Sequence, residues 1–196
     1  NMHVDLLAFY NTFMGCTSLT TIPGDLFANT TTYGYGVFQN TFWNATSLTA
    51  IPDGLFDSIT RADTSMFNGT FRGCKSIRYI PSNLFANITG SAQYMFKETF
   101  ASCSGLSGYI PPSMFAGLIA NNSPTATDMW LDTFKNTNIV TTCPSGTTQY
   151  TTGYESEWSR VSCVEDAPHV CSAGEYLPKL YNSCTICPSG SACVGS

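Results

Sequence analysis

Charge is the scarcest property of this chain. Only 11% of its 196 residues are Asp, Glu, Lys or Arg. Eight basic against 13 acidic residues leave a net charge of −5 and a pI near 4.7. So few cations give no basic face for nucleic acid or an anionic membrane. Histidine is scarcer still: there are two, His3 and His169. No Ser or Cys nucleophile can be matched by spacing to a convincing base. No paired-carboxylate motif occurs, and "TTYGYGVF" has the wrong glycine spacing for a phosphate loop. No apolar run approaches a membrane span. No cleavable leader is visible either. The expectation is a protein without catalytic residues, cofactor or metal.

What is present is apolar and aromatic: 43% hydrophobic residues and 13% Phe, Trp and Tyr. That suffices for a sizeable core and argues against disorder. Nine cysteines are many, and six of them follow residue 142. Their clustering fits an oxidising, extracytoplasmic setting. Five N-x-Ser/Thr triplets, at Asn29, Asn44, Asn68, Asn87 and Asn121, fit exposed loops but carry little weight in an Asn- and Thr-rich chain.

The chain repeats itself. "FMGCTSLTTIPGDLF" from Phe13 returns as "FWNATSLTAIPDGLF" from Phe42 and "FRGCKSIRYIPSNLF" from Phe71. Phe13, Phe42, Phe71 and Phe100 are each 29 residues apart, and Phe134 follows after 34. One added residue lies near Gly108 and the others in "LIANNSPTATD". All 13 phenylalanines fall in three equivalent columns. Phe9, Phe38, Phe67 and Phe96 continue to Trp130. Phe13, Phe42, Phe71, Phe100 and Phe134 form the second column, and Phe27, Phe56, Phe85 and Phe115 the third. Stacked repeats would set ring above ring, since no single unit could bury such a face alone.

Each unit reads in two halves. "SLTTIP" or "SIRYIP" reads as a short strand closed by proline. "SAQYMFKETFASC" puts Met95, Phe96, Phe100 and Cys103 on one helical face and reads as a short helix. The expected fold class is an α/β repeat, with short parallel strands stacked on one side and helices on the other. The Thr before each second-column Phe (Thr12, Thr41, Thr70, Thr99, Thr133) has a structural reading, its hydroxyl bonding a carbonyl one helical turn back. A further column runs Cys16, Ala45, Cys74, Cys103, Thr137. It reads as a place for small volume, with Cys16 a buried free thiol. Cys74 and Cys103 are near enough for a disulfide by distance, but side chains in register on parallel strands point the same way.

The pattern F-x-G-C-T-S-L-T-x-I-P-x-x-L-F resembles the BspA-like class of leucine-rich repeats, over about residues 9 to 144. The resemblance implies a curved leucine-rich-repeat solenoid at a cell surface that binds host or matrix proteins, or a neighbouring surface protein, with no catalytic residues. The 29-residue unit is longer than usual for that class. Residues beside the inward Leu and Ile of each strand would line the concave face: Thr20, Thr49, Arg78, Tyr79 and Tyr109. Arg72, Lys75 and Arg78, with Arg61 just before, form a small basic spot, most simply read as solvated. The oligomeric state is open.

Three regions follow from this reading. Residues 1–142 form the solenoid, whose opening inside the second half of a repeat suggests that residue 1 is a cut in a longer array. Residues 143–166 form a cap, where the repeat dissolves after Pro144. A Cys143–Cys163 disulfide there would close a loop of about 20 residues and contribute roughly 3 kcal/mol. Residues 167–196 form a third region, whose "CSAGEYLPKLYNSCTICPSGSACVGS" resembles small extracellular cysteine-rich modules. That resemblance implies Cys171–Cys184 and Cys187–Cys193, although four cysteines allow three pairings. About 26 residues need covalent staples. A redox C-x-x-C at Cys184–Cys187, or a zinc site from Cys171, Cys184, Cys187 and Cys193 with His169, ranks below structural disulfides.

Overall fold

A computed structural model describes residues 7–30, 33–108, 110, 112–115, 117–118 and 126–139, together with the backbone of 147–150, 162–165, 175–176 and 185–186. Successive windings of the chain lie over one another. The wall that carries the first two Phe columns passes through residues 7–16, 36–45, 65–74, 94–103 and 128–137. It is not helical: those residues form an unbroken run of turns. The reason lies in the backbone. Every fourth residue has a positive φ: Leu7, Asn11 and Gly15, then Gly36, Asn40 and Asn44, then Ser65, Gly69 and Gly73. Tyr94, Glu98 and Ser102 follow, then Asp128, Asp132 and Asn136. A left-handed residue each fourth position is incompatible with a right-handed helix, and Gly, Asn and Asp are the types that adopt it most readily.

The hydrogen bonds alternate in the same rhythm. Phe38, Asn40, Phe42 and Asn44 donate their N–H to Met66, Asn68, Thr70 and Arg72 of the next winding, at 2.8–2.9 Å. The residues between them, Gln39, Thr41, Trp43 and Ala45, donate to the carbonyl three residues back. The arrangement recurs in each wall. Phe9 donates to Val37, Phe67 to Met95, and Phe96 to Met129. Half the peptide groups therefore tie one winding to the next, and half close the local turn. In residues 38–43, 67–72 and 96–101 every backbone N–H and carbonyl is paired, as burial requires.

Ring stacks fill the space behind this wall. Centroids in the first column are 5.4 Å apart for Phe9–Phe38 and Phe38–Phe67, and 4.7 Å for Phe96–Trp130. The second column runs at 5.3–5.7 Å with planes within 7°. Phe27, Phe56, Phe85 and Phe115 stack at 5.6–5.9 Å. Rings of this third column meet the first column edge-on or steeply tilted, as with Phe38 and Phe56 at 62°. Offset stacking within columns and edge contact between them are both favoured by the ring quadrupole. Phe38, Phe42, Phe67, Phe71, Phe96 and Phe100 are fully buried.

The opposite wall carries Leu48, Ile51, Ile77, Ile80, Leu106 and Ile110, all buried. Regular strand is sparse there. Among the described residues β1 (Ser107–Gly108) pairs in parallel with β2 (Asn138–Ile139), and Arg61 bridges Thr89. Continuous strands through "SLTTIP" do not form. Inward residues three apart, such as Leu48 and Ile51, break the two-residue alternation of a strand, and the closing proline lacks an N–H. Side chains supply part of the missing ladder: Ser76 donates to Thr46 O (2.7 Å) and Ser58 to Phe27 O (2.8 Å). A short 3-10 helix spans Pro112–Phe115.

Beyond residue 139, backbone pairing joins β3 (Thr147–Tyr150) to β4 (Ser162–Glu165), antiparallel, with Gln149 opposite Cys163. β5 (Glu175–Tyr176) likewise pairs with β6 (Thr185–Ile186). The expected disulfide Cys143–Cys163, the pairings among Cys171, Cys184, Cys187 and Cys193, and the zinc alternative with His169 all rest on side chains outside the described residues.

Candidate interaction surface

The wall of short, irregular segments brings the expected contact residues into line. Thr49 donates both its N–H and its hydroxyl to Thr20 O, each at 3.2 Å. Ser107 donates its N–H to Arg78 O at 3.3 Å. Thr20, Thr49, Arg78 and Ser107 occupy equivalent places on four successive windings, and all are exposed. Tyr79 is half-buried beside Arg78. Tyr109 lies outside the described residues. Their place beside the inward Leu and Ile of each repeat was the signal for this column.

The basic spot does not gather. Arg72 points from the turn wall, pairs with Glu98 at 2.7 Å and lies over the Trp43 ring at 5.1 Å. Arg61 lies over Tyr33 at 5.0 Å. Lys75 and Arg78 are exposed. Three of the cations on these windings, counting Lys97 over Tyr94 at 5.1 Å, thus rest on rings of the same molecule. At the far wall Lys135 binds Asp132 at 2.9 Å, and that hydrogen bond raises its pKa.

Two kinds of buried polar group run through the interior. Three of the Thr hydroxyls contact two carbonyls: Thr41 reaches Phe38 O and, in the preceding winding, Phe9 O, both at 2.9 Å. Thr99 does the same with Phe96 and Phe67, and Thr133 with Trp130 and Phe96. The carbonyl three residues back belongs to a turn, not to a helix. The thiols of Cys74 and Cys103 donate to Phe42 O (3.1 Å) and Phe71 O (3.0 Å). Their column accepts small residues, but the thiol also serves a carbonyl, which volume alone did not suggest. Both thiols are free and buried. Burial pushes the Cys103 thiol up to about 12; burial and then the neighbouring Cys103 hold Cys74 higher still. Such thiols are poor nucleophiles. Cys16, expected to be buried, is exposed. Its wall has a winding on one side only among the described residues.

Among the described residues no three His, Cys, Asp or Glu side chains gather as a metal site would require. No helix there is long and apolar enough to cross a membrane. Comparison with protein-family models, with curated proteins and with solved structures finds no match.

Proposed function

We propose that this chain is a non-enzymatic recognition or adhesion module of a cell surface, of the BspA-like leucine-rich-repeat type, taking a protein as partner. The observation that carries this reading is the exposed column Thr20, Thr49, Arg78 and Ser107. The residues behind it are nearly invariant from winding to winding, whereas the outward residue runs Thr, Thr, Arg, Ser. A fixed frame with a varied face is what stacked repeats offer a protein ligand. Arg78 is the expected energetic centre, since Arg is enriched in hot spots and this one stands free beside Tyr79. The expected result is that the folded chain captures a protein from a panel of matrix and surface proteins, and that Arg78→Glu weakens capture at least tenfold without shifting the unfolding midpoint. Capture of nothing in the panel, or equal capture by the Arg78→Glu protein, counts against it. The cysteine-rich end is proposed to be stapled by disulfides.

A second reading, a structural spacer or self-assembling surface component without a discrete ligand, is favoured by the cations. Arg61, Arg72 and Lys97 are already occupied by rings of the same molecule. Concentration-dependent polymerisation of the purified chain, seen by light scattering, would select it.

A further inference from the structure

The wall of short, irregular segments is set apart by its charge. The chain as a whole is acidic, yet among the described residues of this wall (17–22, 46–51, 75–80, 104–108, 110 and 138–139) none is Asp or Glu. The described acids stand elsewhere: Asp25 and Asp57 flank the third ring column in sequence, and Glu98 and Asp132 lie on the turn wall. Six cations are described, and four of them are engaged: Arg61 with Tyr33, Arg72 with Glu98 and Trp43, Lys97 with Tyr94, and Lys135 with Asp132. The two left over, Lys75 and Arg78, stand three residues apart on this wall. Both are exposed, and neither has an ion pair or a ring partner. A Cβ on Gly105 of the next winding would run into the carbonyls of Lys75 and Ile77 and the Nη1 of Arg78. Ser18, Ser47 and Ser76 hold the equivalent place on the earlier windings. The bare glycine lets the Arg78 guanidinium lie back across the winding, close to the Lys75 backbone.

We propose that Lys75 and Arg78 form a docking site for a short acidic segment of the partner protein, with its carboxylates on these two cations. The inference rests on the reading that this wall takes a protein, and it names what that protein must bring. Charge selects the occupant. On a chain of net charge −5, an acid-free wall with two unspent cations is where a carboxylate is attracted and meets no acidic neighbour. Arg78 can take a carboxylate through two parallel N–H groups, and Lys75 as a point charge. The positive charge is also confined to one winding. The places equivalent to Lys75 are held by Thr17, Thr46 and Ser104, and those equivalent to Arg78 by Thr20, Thr49 and Ser107. A sulfated glycan or a nucleic acid needs a track of cations repeated along its length, and would leave most of its charge unmatched here. A segment with two or three acidic residues matches what the wall offers. Tyr79, half-buried beside Arg78, adds a ring at the rim of the site.

The test uses the folded chain and a short labelled peptide that alternates glutamate with serine, read by fluorescence anisotropy at low salt. Binding is expected to weaken about tenfold or more when glutamine replaces the glutamates, and by a similar factor in Lys75→Gln/Arg78→Gln. Arg61→Gln/Lys97→Gln removes the same charge away from this wall and should leave the affinity unchanged. No binding of the glutamate peptide, equal affinity for the two peptides, or equal loss in the two double variants overturns the proposal. The unaltered chain gives a second measurement that no variant's folding can confound. The glutamate peptide should slow acetylation of Lys75, located by peptide mass, and leave Lys97 unaffected; equal protection of both, or of neither, overturns the proposal. Heparin bound more tightly than the peptide, and released by Lys75→Gln/Arg78→Gln, would assign the site to a glycan and overturn it too. A panel protein whose capture is weakened by Arg78→Glu but which the glutamate peptide does not displace leaves the recognition reading standing and overturns this one.

Discussion

Single residues in this chain take their roles from the winding they sit in, and the cysteine column shows how. Cys74 and Cys103 are enclosed between windings, and each donates its S–H to a carbonyl of the preceding one. Cys16 holds the equivalent place on the outermost described wall and is open to solvent. The sequence aligned the three but did not show which side of Cys16 lacks a neighbour. The sign of the pH effect follows from the raised thiol pKa values. Below the unfolded value of 9.0 the buried thiols are neutral in both states, and their contribution is fully present. Above it the unfolded chain ionises first, so stability falls as pH rises from 9 toward 12. At one pH unit past the unfolded value the loss is about 1.4 kcal/mol per thiol, or roughly 3 kcal/mol for the pair. Urea unfolding at neutral pH and at one unit above that value should show it. Cys74→Ala/Cys103→Ala, taking the residue already present at Ala45, should remove most of that slope.

Elements were harder to read than residues. Met95, Phe96, Phe100 and Cys103 suit one face of a helix, and they equally suit a run of four-residue turns, because both bring every fourth residue to the same side. What separates the two is the composition of the intervening positions. Gly36, Asn40 and Asn44, or Asp128, Asp132 and Asn136, recur every fourth residue at positive φ and are poor helix formers. Leu7, Tyr94 and Glu98 occupy equivalent places and dilute that signal. The space around these positions is tight as well. A Cβ on Gly69 or Gly73 would meet the Oδ1 of Asn40 or Asn44 in the winding before. Asn40→Ala distinguishes the two structures by sign. In a helix it would stabilise by a few tenths of a kcal/mol. In this wall it forces Ala into the left-handed region and should destabilise by about 1 kcal/mol, read as a lower urea midpoint. Ring columns were legible because a phenylalanine every 29 residues admits few arrangements other than stacking. The strand wall was less so, since side-chain bonds such as Ser76 to Thr46 replace ladder bonds that periodicity cannot reveal.

At the scale of the whole molecule each winding touches its neighbours alone, so a winding can be removed in register. Deleting residues 46–74 joins Ala45 to Lys75, keeps all three ring columns continuous and sets Cys103 beneath Ala45. The shortened chain should still unfold cooperatively, losing roughly 1.5–4 kcal/mol for the 29 residues removed. Deleting two residues fewer should abolish the transition, because the left-handed positions and the rings, which recur every fourth residue, would slip by half a period against the neighbouring windings. The alternation of the hydrogen bonds has a last consequence. In an ordinary sheet, peptide dipoles alternate and largely cancel. Here the peptide between Val37 and Phe38 turns its carbonyl back to Phe9 and its N–H forward to Met66. The peptides between Gln39 and Asn40 and between Thr41 and Phe42 do likewise, and none in the wall points the opposite way. Their dipoles, about 3.5 D each, therefore add along the stack as they do in a helix. The stack of described windings is electrically polar along its length, negative at residues 7–16 and positive at residues 128–137.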